Sequence, residues 1–430
     1  MGSLMTAGGT VPNASYVRPR GAMALPLAAW PFLFLPYDSL THLLGVGQET
    51  GAQTFPATAA FSLLYLVLRG GDLRFSAASR RVFLCLAGVL AIMVALTAGH
   101  LAIESSVSTH LLENLRVPTM LRQGASFVLG LSSFLMFQDA LLRVGHRAAF
   151  RWTVLGFMPS FLVMPFQAFT GVFRVQGFSS EPSQLADALV FAFLPACFGA
   201  LLGSRRRRGL AALGTVALLS TFSSTGIMKL GLVIACYYVG TGRALRGFVL
   251  LCIGLVIIIG LLSLWPDNYV YQTFAILYYG WVTSADLLTI TFVDRYMGLI
   301  GPLSMLNEPR AWLGLGFGAD SVYFYQMFPP LIADAIRAVK WVLPSITSLQ
   351  GKMLMYSGVG GYALYITSWV QARRAAPANH IARYVIPAVF VGSLFSLAPF
   401  FMPYVWLWLA LGSTATHPRA VPLGTVGASA

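Results

Sequence analysis

Charge is what this chain has least of. Only 10% of its 430 residues are Asp, Glu, Lys or Arg, against about 25% in a soluble domain. There are too few polar residues to coat a water-facing surface of this size, so the composition excludes an ordinary soluble enzyme. Acids are scarcest, 14 against 28 basic residues. The 6 histidines are scattered, and no pair has metal-ligand spacing. The 4 cysteines, Cys85, Cys197, Cys236 and Cys252, all fall inside apolar segments. They read as small hydrophobes and not as a disulfide framework. A nucleophile elbow, a Walker loop and a paired-Asp motif for a metal-bound nucleotide sugar are all missing.

What the chain does have is apolar sequence, 57% of residues with a mean hydropathy of +0.73. Runs approaching the roughly 20 residues that cross a bilayer recur at 22–37, 54–68, 82–103, 123–142, 152–170, 184–203, 209–223, 226–241, 247–265, 349–369, 384–397 and 399–413. The first carries Pro26, Pro31 and Pro36 and no clear small-residue cleavage site, so it reads as a retained, kinked span and not a signal peptide. The pair within 209–241 reads as two short helices or one interrupted passage, and Pro399 and Pro403 interrupt the last pair. The expectation is an all-α, polytopic integral membrane protein with about 10–12 transmembrane helices. Residues 1–430 form one membrane domain: helices over 22–265, a large periplasmic loop over 266–348, and helices over 349–413. No internal repeat is visible, so an inverted-repeat transporter gains no support.

The net charge of +14 invites a nucleic-acid reading, but the distribution opposes it. Arginines cluster between apolar runs, as in Arg69, Arg74, Arg80, Arg81 and the RRRR run at 205–208. With a cytoplasmic N-terminus and alternating sides, 19 of the 28 basic residues fall inside and 8 outside, with Lys229 within a span. That is the positive-inside pattern, and the reverse orientation puts the RRRR run outside.

The segment 266–348 is too polar and broken for ordinary spans and too aromatic for disorder. A loop of this length in a compact protein is usually functional. It contains "FVDRYMGLIGPL" and then "GLGFG" at 314–318, followed at once by Asp320. GLGFG is no dinucleotide fingerprint, because it lacks the preceding strand and the spacing. It reads as a turn that lets backbone approach a ligand, with Gly316 at its centre.

Candidate site residues lie on the same expected side. In "RVQGFSSEPSQ", Arg174 stands against the orientation rule, and a guanidinium forks onto phosphate oxygens. Ser180, Glu181 and Pro182 read equally as a helix start, with Glu181 complementing the positive helix end. Arg295 is either paired locally with Asp294 or a second phosphate clamp. The Ser/Thr run at 220–225 satisfies broken helix backbone, or lines a site. Lys229, inside an apolar run, faces a cavity or an anion, since an ammonium at mid-bilayer costs about 2.5–3.5 kcal/mol. Arg310, Gly316, Asp320 and Tyr323 complete the set as substrate-binding candidates.

Taken in order, these pieces resemble one family. An "R-x-x-G-F-x-x-E-P-S" precedes a span. A Ser/Thr-rich hairpin follows, then "D-R-Y", then "G-L-G-F-G", then a span with "Y-S-G-V-G-G". This is similar to the O-antigen ligase and Wzy-type polysaccharide polymerase superfamily, over roughly 170–370. The resemblance implies a glycosyltransferase of the bacterial inner membrane, acting without metal, nucleotide or other cofactor. Its substrates are undecaprenyl-pyrophosphate-linked oligosaccharides, and its partners are a flippase and a chain-length regulator. In those terms Arg174 and Arg295 stabilise the departing pyrophosphate, and Glu181 is the candidate proton acceptor. Ligases of the superfamily carry a histidine late in the large loop. The corresponding "WVLPSITSLQGKML" has none, which favours a polymerase over a ligase, and an exopolysaccharide polymerase of the xanthan type is the closer resemblance. The other alternative is a transporter of lipid-linked sugar or another solute.

Overall fold

The apolar runs fold as helices. The computed structural model describes residues 24–37, 57–70, 72–104, 110–170, 177, 179, 182–199, 204–263, 290–323, 346–394, 396, 400 and 402–416. Among them there is no β-sheet. In chain order the helices are α1 (Ala24–Leu33), α2 (Ala57–Arg69), α3 (Ala77–Glu104), α4 (His110–Val144) and α5 (His146–Phe169). After α6 (Pro182–Ala188), a π-helical turn (Leu189–Phe193) leads into α7 (Leu194–Gly199). Then come α8 (Ser204–Ser220), α9 (Ser224–Gly240) and α10 (Ala244–Ser263). The large-loop region contributes α11 (Ile290–Met305), α12 (Pro309–Leu313) and α13 (Ala319–Val322). The chain closes with α14 (Leu349–Ala375), α15 (Ala382–Gly392) and α16 (Pro403–Thr414). The stretch 209–241 is thus a hairpin of two helices. Ser223 caps α9 by accepting from Gly226 N at 3.2 Å, and Phe222 turns the chain at φ 45°.

Three of these helices, spanning Ala77–Ala102, Val117–Val144 and His146–Phe169, are long and apolar enough to cross a membrane. The surface agrees with that setting. Val67, Leu121, Leu162, Phe166 and Val256 point outward, while Asp139, Lys229, Asp320 and Lys352 are buried. Charges inside and apolar groups outside invert the soluble pattern.

The centre is α16. "PYVWLWLALGST" has no charge on any side, and every residue of it is buried, as a helix apolar all round requires. It packs on α3, α4, α14 and α15. Trp406 sits against Phe127 of α4, edge to face, and Gly130 gives it room: a Cβ there would lie 2.3 Å from the indole. Trp408 Nε1 donates to Phe191 O at 2.6 Å, tying α16 to the π turn.

One end of the bundle is locked by polar networks. Asp139 of α4 is fully buried. It accepts from Tyr65 Oη at 2.6 Å, from the Arg74 amide at 2.9 Å and from Arg143 Nε at 2.8 Å. Arg69 Nε stands 3.6 Å away, and Arg143 reaches on to Asp72 at 3.1 Å. At the same end lies a chain of hydrogen bonds through two buried histidines. The Ala382 amide donates to His380 Nδ1 at 3.2 Å, so the His380 proton sits on Nε2. It bonds His146 Nδ1 at 2.9 Å, and His146 Nε2 bonds Thr414 Oγ1 at 2.9 Å. Burial pushes the His380 imidazole down to about 4. These residues come from, or lie next to, the ends of α2, α4, α5, α15 and α16 that the alternation of spans assigns to one side.

Candidate functional site

The opposite end holds a loop threaded into a broken helix. Ser348 caps α14 by accepting from Gly351 N at 3.0 Å. Helix α14 breaks at Gly358, where φ is 65° and ψ −173°, a conformation open only to glycine. A break leaves carbonyls of the preceding turn without their helical N–H partners. The GLGFG loop supplies replacements: Leu315 N donates to Met355 O at 2.9 Å, and Gly316 N to Tyr356 O at 3.1 Å. Phe317 N donates to Thr97 Oγ1 of α3 at 2.8 Å. The loop's glycines, Gly314, Gly316 and Gly318, all have positive φ, at 101°, 76° and 78°. A Cβ on Gly314 would stand 2.6 Å from Gly358 N, and one on Gly358 2.3 Å from Leu313 C. Each glycine motif therefore exists to admit the other.

Asp320, just past this loop, is completely enclosed. Its carboxylate accepts from the Tyr356 hydroxyl and from Ile346 N at 3.1 Å. Lys352 Nζ lies 3.8 Å away. Asp320 thus ties α13, the start of α14 and the end of the large-loop region together. Tyr323 ends α13 half-buried, its amide donating to Ala319 O at 2.8 Å.

A second charged centre lies beside the first. Lys229 of α9 is buried and donates to Asp187 Oδ1 of α6 at 2.5 Å. Its ammonium also stands 5.9 Å from the centroid of Phe191, within cation–π range. The π turn starts two residues after Asp187, and such turns are frequent at functional sites. Gly392 links the two centres: a Cβ there would meet Phe191 at 3.1 Å and the Lys229 stem at 3.8 Å. The adjacent Ser393 accepts from Gln350 Nε2 of α14 at 2.6 Å.

Of the residues expected from sequence, Gly316, Asp320, Tyr323 and Lys229 all lie at this end. Arg174 and Glu181 fall outside the described residues. Arg295 lies within α11 and Arg310 is the second residue of α12. Sequence reasoning missed Asp187, Tyr356 and Thr97. Asp187 had a signal, an acid inside an apolar run. Tyr356 lay inside a motif already noticed. Thr97 had none, being one hydroxyl among many in a span. No group of three or more His, Cys, Asp or Glu able to hold a metal occurs among the described residues.

Searches against protein-family models, curated proteins and solved structures gave no match to this chain. Its class therefore rests on its own residues: all-helical over the described residues, membrane-associated by the three long apolar helices among them, with a polar loop seated in a broken helix.

Proposed function

We propose that this protein is a polysaccharide polymerase of the bacterial inner membrane. It joins undecaprenyl-pyrophosphate-linked oligosaccharide repeat units at the periplasmic face. On this reading the N-terminus and the end holding Asp139 face the cytoplasm, and the loop end faces the periplasm. One observation carries the proposal. G-L-G-F-G and Y-S-G-V-G-G, two motifs of the resemblance separated by some 40 residues, meet as a single interlocking unit. Motifs that arise independently have no reason to fit this way.

The reaction follows from the residues that the resemblance points to. An acceptor hydroxyl attacks the anomeric carbon of the growing chain. A new C–O bond forms, the C–O bond to pyrophosphate breaks, and the lipid pyrophosphate leaves with the electron pair. Arg174 and Arg295 place positive charge where that negative charge develops. The hydroxyl proton passes to a carboxylate, for which Glu181 is the first choice. Aromatic residues of the large loop stack on sugar rings, and Arg310, Tyr323 and Lys229 contribute to substrate binding. Asp320, held by three donors, positions the loop. A flippase that delivers repeat units and a chain-length regulator are the expected partners.

The test is reconstitution. Purified protein in vesicles, given lipid-pyrophosphate-linked repeat units without added metal or nucleotide, is expected to make a ladder of glycans. Arg174→Ala abolishes the ladder. A second reading, a lipid-linked sugar transporter, draws on the broken α14 and the buried Lys229–Asp187 pair. Substrate that crosses the vesicle wall with its covalent structure unchanged, and no ladder, would establish that reading instead.

A further inference from the structure

Helix α4 carries a polar stripe turned the wrong way for a membrane helix unless something meets it. Thr119, Arg122, Gln123 and Ser126 recur at i, i+3, i+4 and i+7, so they share one face. That face points inward. Thr119, Gln123 and Ser126 are buried, while Val117 and Leu121 are exposed. Arg122 is partly buried and lies in electrostatic range of the Tyr356 hydroxyl. Met120 and Gly124, neighbours on the helix, pack against Gly318 and Phe317 of the loop.

The stripe is chemically incomplete. Arg122 Nε, Gln123 Oε1 and Ser126 Oγ are enclosed without a hydrogen-bond partner. Ser321 Oγ of α13, which packs against α4, and Thr347 Oγ1 are in the same condition. These two flank the Asp320–Ile346 hydrogen bond. Native proteins leave few buried polar groups unpaired, and each calls for an explanation. The charges are unbalanced as well. Among the described residues here, Asp320 faces Lys352, and no acid forms an ion pair with Arg122.

We propose that Arg122, Gln123 and Ser126, together with Ser321 and Thr347, form an oxyanion-binding site with Arg122 as its principal ligand. It takes a phosphate or carboxylate group carried on a hydroxyl-bearing molecule. The guanidinium fork fits the oxyanion. Gln123 Oε1 only accepts, so it needs a ligand hydroxyl, which a bare anion lacks. The identity of the molecule rests on the polymerase reading. There the oxyanion is either the donor's pyrophosphate or a carboxylate on an acidic sugar.

The experiment titrates inorganic pyrophosphate, and separately glucuronate, into the detergent-solubilised full chain and reads thermal unfolding. Stabilisation by pyrophosphate identifies the lipid phosphate as the source, and stabilisation by glucuronate alone identifies an acidic sugar. Arg122→Leu is expected to weaken the stabilising anion about 10- to 100-fold. Without anion it should unfold at or above the wild-type temperature, since it removes a charge that no described acid compensates. A merely structural arginine gives the reverse, a lower midpoint and an unchanged anion response. That result overturns the proposal, as does a variant that fails to fold or a wild type indifferent to both anions. An Arg122-dependent response without any glycan ladder keeps the site and rejects the polymerase. A ladder with no anion response does the opposite.

Discussion

Gly358→Ala and Gly360→Ala make the same chemical change two residues apart in α14, and they are expected to have opposite effects. Gly360 is exposed, helical, and has nothing within 4 Å of the position a Cβ would take. Alanine there removes glycine's excess unfolded freedom and stabilises the helix by about 0.5–1 kcal/mol. At Gly358 the new Cβ lands 2.3 Å from Leu313 C and 2.5 Å from Gly314 N. Its φ of 65° with ψ −173° alone costs an L-residue about 1–3 kcal/mol. The overlap involves backbone on both sides, so the loop must move out. The amides of Leu315 and Gly316 then leave Met355 O and Tyr356 O, two buried carbonyls worth about 1–3 kcal/mol each when unpaired. The expected loss is about 3–9 kcal/mol. Thermal unfolding in detergent would show a drop of at least about 5 °C for Gly358→Ala and none for Gly360→Ala. Hydrogen exchange is more direct: the Leu315 and Gly316 amides lose protection only in Gly358→Ala. If both variants match wild type in midpoint and amide protection, the interlock does not exist and the proposed site loses its frame.

Further expectations follow from other parts of the molecule. Lys229→Met leaves Asp187 charged and buried, and is expected to cost about 3–5 kcal/mol, while adding Asp187→Leu recovers most of it; equilibrium unfolding of the two variants measures the coupling. Thr97→Val keeps the shape but strands the Phe317 amide, costing about 1–3 kcal/mol, whereas Thr97→Ser is neutral by the same measurement. His380 has its pKa lowered from 6.5 to about 4. The unfolded chain therefore takes up the proton first, and stability falls as pH drops from 6.5 toward 4, by about 3 kcal/mol. Above pH 6.5 there is no effect, and His380→Asn flattens this acid limb in a pH series of unfolding midpoints. In the vesicle assay, a ladder that survives Glu181→Ala would make Glu181 a helix cap and move the base elsewhere.

Much of this was legible in the residues alone. Hydropathy located nearly every helix, because an apolar run in a charge-poor chain has one stable use. Alternating the spans put Asp72, Asp139, His146 and His380 on one side. The structure brings the first two into one network and the histidines into another at the same end. The sequence also marked GLGFG and YSGVGG, since glycine at that density implies backbone that no other residue can adopt. It did not show that the two motifs fit each other. That needs α3, α4 and α14 to converge, and contacts between residues 40 apart, such as 316 and 356, leave no periodicity to read. The partner of Lys229 was hidden for the same reason: Asp187 lies 42 residues earlier on another helix. Local composition determined that this chain is a bundle of apolar helices, because burial of apolar surface and backbone hydrogen bonding act within a single segment. Only the tertiary structure decided which polar residues meet partners and which, like Arg122, form no ion pair with a described acid, because charge compensation in a bundle is settled between segments and not along them.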